Sequence, residues 1–200
     1  MNEHLRPPTL PVTTRAAEGL LRRRFSVAEI DRMVAAGIIS EDEHIELIGG
    51  EVVPMSPKGR RHEIIRNELA FQLSRQCPAE LRVASEPYLR LSPDTASEPD
   101  IIVHPAAIKA PAVDGRTVLL VTEVSDTSLS YDLGAKAAIY ATHGVREYWV
   151  IDARTLKTTV HNDPAGSNYT EIRSVPPDMA LAPRTAPELC FTLSDLDLID

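Results

Sequence analysis

Aromatic residues are scarce in this chain, at 4% of 200 residues, and cysteines number only two. Aromatics interleaved on a basic surface are missing, so a base-stacking platform for single-stranded nucleic acid is excluded. Cys77 and Cys190 lie far apart with no close-spaced partner. That excludes a zinc knuckle and leaves two reduced, structural thiols. No apolar run approaches the roughly 18 residues of a membrane span, and the N-terminus lacks the apolar core of a signal peptide. The expected location is the cytoplasm, with no membrane partner. Positive charge is short as well: 21 basic against 29 acidic residues leave a net −8, which argues against a protein that coats DNA indifferently. Internal repeats, low-complexity segments and a helix-turn-helix are all absent.

What is present suffices for a real core, with 43% hydrophobic residues in a length that fits one domain. Residues 1–24, with three prolines and the cluster Arg22-Arg23-Arg24, read as a flexible arm whose basic run is solvated; residues 25–200 read as a single domain. Ser26-Val-Ala-Glu29 is the pattern of a capping box, opening a helix to about Ala36 with Gly37 as its stop. Two short apolar runs, His44–Ile48 and Glu51–Met55, flank Gly49-Gly50, which predicts a tight hairpin needing positive φ. Ile64, Ile65, Leu69 and Leu73 give one apolar face to a helix from Arg60 to about Gln76. Strands are expected over Leu81–Leu91, Asp100–His104 and Thr117–Val124, then a helix over Ser128–Thr142 and a strand over Arg146–Asp152. Lys157–His161 and Tyr169–Arg173 suit an edge hairpin, and Leu193–Leu198 a short helix or strand. The resulting α/β core runs helix, three strands, helix, strand, with an N-terminal helix and β-hairpin and C-terminal antiparallel strands.

Two acids interrupt the apolar strands. Asp100 opens Asp100-Ile-Ile-Val directly after Pro99, and Glu123 sits in Leu119-Leu-Val-Thr-Glu123-Val. An ionised carboxylate at a buried strand end is costly unless something positive meets it. Two such acids on neighbouring strands can share a divalent cation, and hard oxygen donors suit Mg²⁺ or Mn²⁺. Asp132, Lys136 and Tyr140 follow at i, i+4 and i+8 on one stripe of the next helix. From there Lys136 can reach back to orient an attacking water and balance phosphate charge. Its plain alternative is an exposed pair with Asp132, worth about 0.3–0.5 kcal/mol. The local charge agrees with an acidic pocket beside a basic surface. Residues 58–90 carry seven Lys and Arg against four Glu, and residues 41–56 carry five acids without Lys or Arg.

In order along the chain these pieces resemble the PD-(D/E)XK nuclease superfamily, and within it the Uma-type restriction endonuclease family. The resemblance rests on Glu46-Leu-Ile-Gly-Gly-Glu51-Val-Val-Pro-Met-Ser56, His62, Glu98-Pro99-Asp100-Ile-Ile-Val, Val121-Thr-Glu123-Val-Ser125, the stripe Asp132, Lys136, Tyr140, and Gly144–Asp152. It implies a restriction-endonuclease-like core and Mg²⁺-dependent endonucleolytic hydrolysis of phosphodiesters, DNA before RNA; the oligomeric state stays open, and two nicks on opposite strands would call for a homodimer. Asp100 maps onto the Asp of the family's Pro-Asp and Glu123 onto its second acid, with the Val124 carbonyl as a further metal ligand. The lysine expected two residues after the second acid is Ser125 here, and Lys136 takes that place in the Uma-type branch.

His62, Arg60 and Arg61 are candidates to bind substrate at the start of a helix, where backbone N–H groups favour anions, and Tyr140 joins them. Lys58 is a further phosphate contact or else part of a solvated loop. Glu46, Glu51 and Glu86 are each either neighbours of the metal pocket or exposed acids. His104 reads as bland, and Tyr148 with Trp149 as core. Two other classes stay open: a nuclease fold kept as a binding or assembly module with unmetallated acids, and a hydrolase of small phosphodiesters.

Overall fold

The computed structural model describes residues 22–198, apart from residues 41 and 56. The arm expected over 1–24 thus lies outside the described residues as far as residue 21. Its last three residues pair with acids: Arg22 with Glu51, Arg23 with Glu29 and Arg24 with Asp94.

In chain order the elements begin with α1 (Val27–Ala35), β1 (Ile45–Ile48), β2 (Glu51–Pro54) and α2 (Arg60–Gln76). Six strands and a helical segment follow: β3 (Leu81–Ser85), β4 (Leu89–Ser92), β5 (Thr95–Ser97), β6 (Ile101–Pro105), β7 (Leu120–Ser125), then α3 (Leu129–Tyr131), a π-helical turn (Asp132–Lys136), α4 (Ala137–Thr142) and β8 (Glu147–Asp152). The chain closes with β9 (Thr158–Ala165), β10 (Asn168–Val175), β11 (Ala180–Leu181) and β12 (Phe191–Thr192). The main sheet has the order β10-β9-β8-β7-β6-β3, and a smaller sheet the order β2-β1-β5-β4. Within the main sheet only β7 and β8 run parallel. A parallel step needs a long crossover, and the helical segment from Leu129 to Thr142 supplies it.

Local chemistry explains the N-terminal elements. Ser26 and Glu29 form both halves of the capping box on α1, satisfying two otherwise orphaned N–H groups. Gly49 and Gly50 turn the β1–β2 hairpin at φ of 57° and 83°, where a side chain is strained. The sheet then buries both faces. Leu69 and Leu73 of α2 pack with Ile101, Val103, Leu120 and Trp149 on one side. On the other, Ala137, Tyr140 and Ala141 of the crossover pack with Ile102, Val121 and Tyr148.

The core of helix, three strands, helix and strand is therefore α2, β3, β6, β7, the crossover and β8, as expected. One expected element is different. The single strand over Leu81–Leu91 is two, in two sheets. Glu86 takes a left-handed φ of 48° directly before Pro87, and that corner ends one strand and redirects the chain. Thr117 belongs to a turn rather than to β7, because Asp114 Oδ1 accepts from the backbone N–H of Arg116 and Thr117. Among the described residues no helix is long and apolar enough to cross a membrane.

Candidate active site

β6 and β7 are antiparallel with Ile101 opposite Thr122. One register step further sets Asp100 across from Glu123, so both carboxylates leave the same face of the sheet at one rim. They line a cleft of about 260 Å³, together with Val53–Met55, Asp126–Ser128, Tyr131 and Asp132.

Asp100 is 1% exposed and fully engaged. Its Oδ2 accepts from the Val124 backbone N–H at 2.7 Å and from His62 Nε2 at 2.9 Å, and its Oδ1 from Lys58 Nζ at 2.9 Å. Burial alone would raise its pKa, but the His62 hydrogen bond, the charges of His62 and Lys58 and the Val124 N–H together hold it below the usual Asp value. His62 Nδ1 has no hydrogen bond and lies 3.5 Å from Glu63 Oε1.

Glu123 is the opposite case. Its Oε1 accepts from Tyr140 Oη at 2.9 Å and lies 2.9 Å from Lys136 Nζ, and none of the hydrogen bonds among the described residues uses Oε2. Burial pushes its pKa up to about 8; Lys136 opposes that shift, and Asp100, Asp132 and Glu46 add to it. Lys136 lies between two carboxylates, with Glu46 Oε1 at 3.0 Å, and despite burial those charges raise its pKa well above the ordinary value. The two shifts have different causes: burial raises Glu123, whereas neighbouring carboxylates raise Lys136.

The π turn delivers this geometry. It leaves Asp132 and Lys136 both buried, and such turns recur at functional sites. The alternative reading, an Asp132–Lys136 surface pair, does not form; Asp132 Oδ2 accepts instead from Ser128 Oγ at 2.5 Å. Lys136 stands behind Glu46 and Glu123, which line the cleft where it does not. Tyr140, expected at the substrate, is 0% exposed, and its hydroxyl contacts Glu123 and Ser97. His62 faces the cleft but is spent on Asp100. Arg60 is exposed at the first turn of α2, while Arg61 donates from Nε to the Ala153 carbonyl at 2.6 Å. Val124 lines the cleft and turns its N–H to Asp100. Glu51 pairs with Arg22 on the surface, and Ser125 is fully buried with its hydroxyl 3.2 Å from Ser128 Oγ.

Two participants carried less weight in the sequence than their positions warrant. Glu46 is 3% exposed and also accepts from the Glu98 N–H. An acid inside the apolar run Ile45-Glu-Leu-Ile48 is the same signal that marks Asp100 and Glu123. Glu86 accepts from Lys58 Nζ at 2.6 Å and pairs with Arg66, a partnership without local signature.

The donor set fits a hard divalent cation. Asp100 and Glu123 line one cleft, and burial raises the Glu123 pKa to about 8, so a cation there would favour its charged form. Among the described residues no cluster of three or more His, Cys, Asp or Glu converges as ligands. Two carboxylates completed by water and substrate phosphate are the usual Mg²⁺ arrangement, unlike an all-protein cage.

Residues 27–194 match the model of the Uma2 family, described as "Putative restriction endonuclease". In three dimensions the chain is similar to a protein of Anabaena variabilis described as "a putative nuclease belonging to DUF820". The TM-score is 0.67 and the identity 16%, over 86% of this chain and 96% of that one. That likeness is one of fold. No protein of curated function matches the chain in sequence.

Proposed function

This chain belongs to the Uma2 family, and from that premise we propose that it is a metal-dependent endonuclease acting on nucleic-acid phosphodiesters, DNA before RNA. The observation that carries the reading is that Asp100 and Glu123 line one cleft, with Asp100 accepting from the Val124 N–H beside Glu123. In this reading Asp100 Oδ1 and Glu123 Oε2 hold Mg²⁺ or Mn²⁺, with the Val124 carbonyl as a further candidate ligand. The bound cation would supply charge stabilisation for the phosphate and a more acidic water. His62 and the Val124 N–H fix the orientation of Asp100 through Oδ2. Lys136 and Tyr140 fix Glu123 from behind, and Lys136 is shared with Glu46. Arg60, exposed beside the cleft mouth, and Arg61 are the proposed contacts to the nucleic-acid backbone. A cytoplasmic location suits such a substrate, and cutting both strands of a duplex would call for two active sites, hence a homodimer.

The test is incubation of purified protein with supercoiled and linear DNA in Mg²⁺ or Mn²⁺, beside Asp100→Ala and Glu123→Gln. Cleavage by the unaltered protein that disappears in both variants supports the reading. Cleavage that survives both would sink it.

A further inference from the structure

Of the two lysines near the acidic pair, one faces the cleft. Among the described residues Lys58 is the only Lys or Arg in the cleft lining. Its side chain is 18% exposed, against 7% for Lys136. Resting on the proposed nuclease reading, we propose that Lys58 is the phosphate-facing lysine of this enzyme: it sits on Asp100 Oδ1 in the free protein and transfers to the substrate phosphate once that oxygen ligates a cation. The family resemblance gives that role to Lys136; the geometry gives Lys136 a positioning role instead.

The argument is one of what each lysine would leave behind. Lys58 bridges Asp100 Oδ1 and Glu86 Oε1. If it departs, Asp100 keeps His62 and the Val124 N–H on Oδ2, and Glu86 keeps Arg66. Neither acid is stranded, so the move avoids the penalty of an unpaired buried charge. If Lys136 moved, Glu46 and Glu123 would lose their shared cation, and Glu46, 3% exposed, would retain only a long backbone hydrogen bond of 3.4 Å. Lys136 is therefore held where it is. Lys58 also stands on a loop, between Pro57 and the helix-capping Gly59, where a change of side-chain direction disturbs no helical packing. The corner residue Glu86, with its left-handed φ of 48°, is the post from which Lys58 is aimed. Unfavourable backbone conformations of this kind are retained where the surroundings over-determine them.

The chemistry is that of a mobile counter-charge. In the free protein the ammonium partly offsets the acidic floor. With a cation there, the same ammonium would be repelled from Asp100 and attracted to the anionic phosphate. No bond is made or broken by Lys58, and it keeps its three protons throughout.

The experiment pairs Mn²⁺ calorimetry on the full-length protein with DNA-cleavage kinetics, for Lys58→Met, Lys58→Gln and Lys58→Arg beside Lys136→Met. Lys58→Met and Lys58→Gln should bind Mn²⁺ as tightly as the unaltered protein or several-fold tighter, because no ammonium competes for Asp100. Their kcat should fall roughly a hundredfold, the scale of one lost transition-state contact, with partial recovery in Lys58→Arg. Weaker Mn²⁺ binding in both neutral variants, or a kcat within tenfold of the unaltered protein, overturns the assignment. An unaltered protein that cuts and binds Mn²⁺ while these variants behave normally removes Lys58 alone. An unaltered protein that does neither removes the nuclease reading, and Lys58 with it. Two neutral variants guard against one that fails to fold.

Discussion

Asp100, one residue before β6, and Glu123 of β7 line the same cleft, yet their surroundings drive their protons in opposite directions. Three donors hold Asp100 as a carboxylate below the usual Asp range, whereas burial lifts Glu123 to about 8. Under the proposed nuclease reading the pair would divide the work of a metal site: one ligand charged in advance, the other giving up its proton to the incoming ion.

The first consequence is a pH-dependent metal affinity. Only the deprotonated Glu123 ligates, so Mn²⁺ affinity should rise about tenfold per pH unit below about 8 and level off above it. Calorimetry in buffers of different ionisation enthalpy should find about one proton released per ion at pH 6.5. Flat affinity between pH 6 and 8 would contradict the assignment. Folding stability of the metal-free protein runs the opposite way: a raised carboxyl pKa contributes stability that is lost as pH climbs from the ordinary 4.5 through about 8. Glu123→Gln should remove that slope in urea titrations.

Replacing Lys136 by methionine leaves two buried carboxylates without their shared cation. The expected loss is roughly 3–5 kcal/mol of stability. Since Glu123 takes up a proton below about 8, the loss should be smaller at pH 6 than at pH 9. Denaturation midpoints at the two pH values measure it, and a pH-independent difference would speak against the Lys136–Glu123 pairing.

Tyr140→Phe separates a supporting hydroxyl from a substrate contact. The ring is fully buried and its hydroxyl meets only Glu123 and Ser97. Removing it should cost roughly 1–3 kcal/mol of stability, the scale of leaving a buried polar group unsatisfied, while KM for DNA stays unchanged. A raised KM with unchanged stability would return Tyr140 to the substrate.

The hairpin that carries Glu46 depends on Gly50. At φ of 83°, a Cβ on this residue would come within 2.6 Å of Arg24 Cβ. Gly50→Ala should therefore destabilise the protein by roughly 1–3 kcal/mol, and Gly37→Ala, with nothing within 4 Å of its Cβ, by less. Thermal melts of both variants decide the order.

The elements legible in the sequence were those written locally. A serine and a glutamate three residues apart specify α1, two consecutive glycines specify the β1–β2 turn, and a 3.6-residue apolar period specifies α2. Acids set into apolar strands marked Asp100 and Glu123, because an isolated buried charge is intolerable whatever the fold. Glu46 bore the same mark, but acids that flank a hairpin turn are usually exposed, and that reading outweighed it.

Partner choice was decided only in three dimensions. Lys58 meets Asp100 across 42 positions of chain, and Lys136 selects Glu123 and Glu46 in place of Asp132, four residues before it. The break at Glu86, which divides one apolar stretch between two sheets, also depends on what surrounds it. Propensity and periodicity act over a few residues, whereas ion pairs are settled by which side chains the packed sheet brings within about 3–4 Å. That proximity exists only after the strands have paired.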